Sequence, residues 1–113
     1  MPLIPGLDGN GNEVTFYAQG QEPTVDYSAA LAATGVSQQA AAANPNRAYL
    51  YFQNRGAHVM YVNDVGDAGD PDTEPSAFTV APGESWPPPG YPIPITAINV
   101  SGTDGEAFLY REA

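Results

Sequence analysis

Apolar and polar residues alternate in short runs along most of this chain, and turn-forming residues separate the runs. The clearest run is Arg47 to Asn54, RAYLYFQN. Ala48, Leu50 and Phe52 fall on one side of an extended backbone there, with Tyr49, Tyr51 and Gln53 on the other. His58 to Asn63 (HVMYVN) follows after Arg55, Gly56 and Ala57, so the pair is expected to form a hairpin closed by that short loop. Ala77 to Ala81 (AFTVA) is a strand with Phe78 and Val80 inward, ended by Pro82-Gly83. Ile95 to Val100 (ITAINV) and Ala107 to Arg111 (AFLYR), joined by SGTDGE, predict a second hairpin. Val14 to Ala18 (VTFYA) and the weaker Thr24 to Ser28 (TVDYS) are further strand candidates.

Between these runs the pattern changes. Residues 29–43 are Ala-rich, and Ala favours helix. Thr34, Gly35, Val36 and Ser37 interrupt the run, and no apolar face repeats at helical spacing. A loop followed by a strand near Gln38 to Ala43 is the better reading, with a short helix at 28–33 as the alternative. Residues 86–94 (WPPPGYPIP) cannot occupy a central strand, because proline lacks the ladder donor. Residues 64–76 (DVGDAGDPDTEPS) form an acidic loop. Residues 1–13 (MPLIPGLDGNGNE) offer Leu3 and Ile4 as their main apolar anchors and are read as an extended arm. The expectation is therefore all-β: a single antiparallel β-sandwich or jelly-roll-like domain over 14–113, preceded by an extended N-terminal arm over 1–13.

Composition narrows the function classes. A chain of 113 residues fits one domain. Twelve glycines and twelve prolines favour disorder, but a 42% apolar fraction with eleven Tyr and Phe favours a packed domain. The absence of cysteine removes disulfides, thiolate metal sites and cysteine nucleophiles. Thirteen acids face three arginines and no lysine, for a net charge of -10. Such a chain is repelled by phosphate backbones and anionic membranes, so no nucleic-acid or membrane partner is expected. No apolar run is long enough for a membrane span, and no leader pattern opens the chain.

One stretch carries a resemblance. Ala43 to Asn54 (ANPNRAYLYFQN) resembles a pattern of small tailed-phage virion proteins, in which an N-P-N-R turn leads into an apolar strand ending in Gln-Asn. Met60-Tyr61-Val62-Asn63 matches the return strand, and Pro82-Gly83-Glu84-Ser85 a following strand end. Ala97-Ile98, Gly102 and Leu109-Tyr110-Arg111-Glu112 match a final strand pair. The likeness covers about two thirds of the chain, and the acidic loop has no counterpart in it. Among such proteins it looks most like the cement, or decoration, proteins of short-tailed phage heads. The resemblance implies a structural protein on the outer surface of the virion head that staples neighbouring major capsid proteins, as a homodimer. The alternative is a tail-fibre or carbohydrate-binding sandwich with Tyr49, Tyr51, Trp86 and Tyr91 as stacking surfaces.

Candidate chemistry is sparse. His58 is the single histidine, and no G-x-S-x-G elbow accompanies it. Asp64, Asp67, Asp70, Asp72 and Glu74 supply oxygen ligands of the kind calcium takes, but without the EF-hand order; a solvated, self-repelling loop is the simpler reading. No acid is placed for the paired-carboxylate hydrolysis of a sugar. Hence no catalytic residue, metal or cofactor is assigned. Arg47 and Arg55 flank the central strand and either grip carboxylates of a partner or brace local turns. Trp86, Pro88 and Tyr91 belong to a stiff apolar ribbon that either docks on a partner or closes one end of the core. The partner-binding candidates are thus Leu3, Ile4, Arg47, Arg55, Trp86, Pro88 and Tyr91.

Overall fold

The computed structural model describes residues 24–113 and, ahead of them, the backbone pairing of β1 (Gly6–Leu7) with β2 (Glu13–Val14). The remainder of the 1–13 arm, including Leu3 and Ile4, lies outside the described residues, as do positions 15–18 of the first strand candidate.

From Thr24 onward the chain is an antiparallel β-sandwich. One sheet has the order β5 (Gln38–Ala41), β10 (Ile98–Ser101), β7 (Met60–Asn63), β8 (Phe78–Val80). The other has the order β3 (Val25–Asp26), β11 (Ala107–Glu112), β6 (Leu50–Asn54), β9 (Ser85–Trp86). A short β4 (Ala29–Ala30) also pairs with β11, continuing the edge begun by β3. The helix alternative at 28–33 is therefore overturned. Once β11 offers a free edge, two-residue ladders satisfy the backbone of this Ala-rich stretch, and Leu31 is buried in the core.

Period-two alternation explains which side chains are inside. Leu50, Phe52, Trp86, Phe108 and Tyr110 come from the second sheet, and Met60, Val62, Val80, Ile98 and Val100 from the first. They form one core cluster, and full burial of each large side chain contributes about 1.5–3 kcal/mol relative to exposure. Proline at 87, 88 and 89 ends β9 after two residues and keeps it at the edge, as its missing N–H requires.

Both expected hairpins are corrected. β6 and β7 do not pair; β6 lies between β11 and β9, and β7 between β10 and β8. β10 and β11 likewise belong to different sheets. The reason is visible at Asn54, which period two turns inward at the end of β6. Its Nδ2 donates to His58 O at 2.8 Å and to Val80 O, in the opposite sheet, at 2.9 Å. Its Oδ1 accepts from Gly56 N at 2.8 Å. The amide thus bends the chain across the sandwich instead of back along the same sheet. The second crossing, 102–106, lies against the first: Glu106 Oε1 accepts from Ala57 N and His58 N at 3.1 and 3.0 Å. A Cβ on Gly56 would collide with the Glu106 carboxylate, so the close approach of the two crossings needs glycine there.

Candidate interaction surfaces

The sandwich places the sequence candidates in three settings. Arg47 is inside. Its Nε meets Glu112 Oε1 at 2.8 Å, and its Nη atoms donate to Pro94 O, Thr96 O and Ala42 O at 2.6, 2.9 and 2.8 Å. Glu112 also accepts from Tyr110 Oη at 2.7 Å and Asn44 Nδ2 at 2.9 Å. Arg47 is therefore a brace for the Asn44-Pro45 turn and both sheet ends, not a contact for a partner; burial leaves no part of its guanidinium to offer. Burial raises the Glu112 pKa, but the hydrogen bonds from Tyr110, Asn44 and Arg47 outweigh it and hold the carboxyl below its usual range.

The aromatic ribbon also turns inward. Trp86 is buried and its ring lies 5.5 Å from Phe78 and 5.8 Å from Tyr91. Tyr91 Oη donates to Asp64 Oδ2 at 2.7 Å, tying the ribbon to the start of the acidic loop. Of the two readings of this ribbon, the lid on the core is the one the packing displays. Trp86 is corrected accordingly; Tyr91 is half-buried beside it, and Pro88 is exposed on the rim of a groove of about 480 Å³ between β8 and β9.

What remains on the outside divides by face. On the second sheet, ladder register puts Arg111 beside Tyr51 and Asp26, and Leu109 beside Gln53, all pointing away from the core. Tyr49, two residues before Tyr51, is 46% exposed on the same side. Arg55 reaches over this face to Gln53 Oε1 at 2.6 Å, and Arg111 approaches Asp26 at 3.5 Å. Both exposed arginines and two tyrosines therefore share one surface.

The first sheet has a different outer face. Tyr61, Thr79 and Ser101 stand there in register. The acidic loop folds against it: Asn63 Nδ2 holds Asp67 O and Ser76 Oγ, each at 2.8 Å, and Asn99 Nδ2 holds Gly66 O at 2.7 Å. Ala68 is buried, and its N–H donates to Ser37 Oγ at 2.9 Å. Between this loop, residues 34–37 and the β10–β11 crossing lies a groove of about 750 Å³. Among the described residues, no group of three His, Asp or Glu side chains is arranged to hold a metal ion.

His58 is exposed and pairs with Glu106 Oε2 at 2.6 Å, across the two crossings. Among the described residues no hydroxyl bonds to its ring.

No family model, curated protein or solved structure matches this chain.

Three polar residues that organise these surfaces escaped the sequence reading as site residues: Asn54, Asn63 and Glu112. Two of them carried a signal. Leu50, Phe52 and Asn54, like Phe108, Tyr110 and Glu112, share one strand face, so an inward polar terminus follows from period two.

Proposed function

We propose that this chain is a non-enzymatic structural protein that clamps neighbouring major capsid subunits from the outside of a phage head. The observation that carries the proposal is the division of its surface. One face of the sandwich bears Tyr49, Tyr51, Leu109, Arg55 and Arg111, and the opposite face bears the acidic loop. A clamp needs two contact faces held at a fixed spacing, and two sheets over one core provide that. Tyrosine and arginine are favoured at protein interfaces because each combines a large contact area with directional hydrogen bonds. The buried polar groups Arg47, Asn54 and Glu112 serve the fold, which fits a protein that works through surfaces. The order of motifs from Ala43 to Glu112 supports the virion setting. Symmetric copies then stabilise the shell by binding its assembled form more tightly than its free subunits.

The test is co-sedimentation of the purified chain with empty, expanded heads, with mass spectrometry of purified virions for copy number. Saturable binding and abundance comparable to that of the major capsid protein are expected. Absence from heads, or an abundance like that of a tail fibre, would overturn the reading.

A second reading is favoured by Tyr49 and Tyr51 alone. Two tyrosines on a flat face can stack against a sugar ring, as in a carbohydrate-binding module of a tail fibre. Binding of the isolated chain on a glycan array, lost on Tyr49→Ala, would support that instead.

A further inference from the structure

We propose that the groove over the first sheet receives an arginine or lysine side chain from a partner protein. The inference deepens the clamp reading, and it rests on that reading for its partner. Three carboxylates, Asp67, Asp70 and Glu74, line the groove, and none is in an ion pair among the described residues. A second, independent observation comes from the floor. Ser101 is 1% exposed, and among the described residues its Oγ has no hydrogen-bond partner. Register with Tyr61 turns it to the outer side of the sheet, while its neighbour Val100 points to the core. A buried hydroxyl without a partner is uncommon and unfavourable, by about 1–3 kcal/mol when desolvated.

The acids set the chemical character of the groove. Three carboxylates accept hydrogen bonds and cannot donate, the Ser101 hydroxyl can accept as well as donate, and His58, also in the lining, has its Nδ1 on Glu106. A donor-only, positively charged group is therefore the complementary occupant. Tyr61 and Ala68 supply an aromatic and an aliphatic wall for the stem of such a side chain. The opposite face already carries the two exposed arginines, so the partner, not this chain's own sheet, must provide the cation. A phosphate or an anionic lipid would meet only repulsion here.

Amide NMR of the intact protein tests the idea. The probe is a capped Gly-Arg-Gly tripeptide, with capped Gly-Gln-Gly as control, at about 0.15 M salt to screen diffuse attraction. Shifts confined to Tyr61, Ala68, Gly69, Ser101, Gly102 and Thr103 are expected with the arginine peptide only. Asp67→Asn with Asp70→Asn should weaken binding roughly tenfold, and Ser101→Ala by roughly threefold. Both acids are exposed, so this pair should leave the remaining spectrum unchanged, which certifies the fold. Shifts spread over all acidic loops, equal shifts from the glutamine peptide, or groove shifts with calcium chloride alone would each overturn the proposal. Head binding by the wild-type chain without peptide shifts would sink the groove and spare the clamp. Peptide shifts without head binding would do the reverse.

Discussion

Glu112 sits where burial opposes its charge, yet it stays ionised because three side chains donate to it at 2.7–2.9 Å. Removing one member of such a pair strands the other. Glu112→Gln leaves the Arg47 guanidinium buried and uncompensated, and is expected to destabilise the fold by about 3–5 kcal/mol, read from the urea midpoint. Adding Arg47→Met to Glu112→Gln should cost less than the sum of the two single changes, because the double variant buries no lone charge. The same carboxylate sets an acid limit, together with Glu106. The Glu106 carboxyl is lowered first by the His58 hydrogen bond, against a smaller effect of burial. A folded-state pKa below the unfolded value means that the ionised form favours the fold. That contribution is complete above the usual value of 4.5 and is lost as pH falls through the lower folded values. The thermal midpoint should therefore hold from neutral pH to about 5 and decline below it, less steeply in Glu106→Gln.

Strands and their connections were unequally legible. Alternation located β6, β7, β8, β10 and β11 to within a few residues, because one face of each must be apolar to meet the core. It could not say which strand pairs with which. The Arg55–Ala57 and Ser101–Glu106 segments have hairpin-like composition, but a turn signal fixes only that the chain bends, not whether it stays in its sheet. The decision falls to Asn54, whose amide reaches Val80 in the opposite sheet. Asn54→Ala would leave Gly56 N, His58 O and Val80 O without this partner. A loss of about 2–4 kcal/mol in denaturant unfolding is expected, together with faster amide exchange at Gly56. The edge strands β3 and β4 were hard to read for a different reason. All four of their residues are exposed, so no alternation marks them, and tertiary pairing with β11 decides their conformation. The fate of Arg47 and Trp86 was open in the sequence because interface anchors and core anchors use the same residue types.

Seen as one body, the molecule separates its two exposed arginines from its densest acids by the thickness of a sandwich. A net charge of -10 keeps copies apart in solution, while the arginine-bearing face lowers that repulsion locally. Charge reversal at Arg111, as Arg111→Glu, should weaken head binding and leave the unfolding free energy within about 0.5 kcal/mol of the wild-type value, since its pairing with Asp26 is solvent-exposed. Equal head binding by that variant would remove the second-sheet face from the clamp. β11 has the widest structural responsibility. It is flanked by β6 on one side and by β3 and β4 on the other, so that whole half of the sandwich is assembled around residues 107–112. A nascent polypeptide can pair the strands of the first sheet, and β6 with β9, before residues 107–112 emerge, but β3, β4 and the other edge of β6 have no partner until then. A product cut short before residue 107 would be left with those edges open to proteases and to one another.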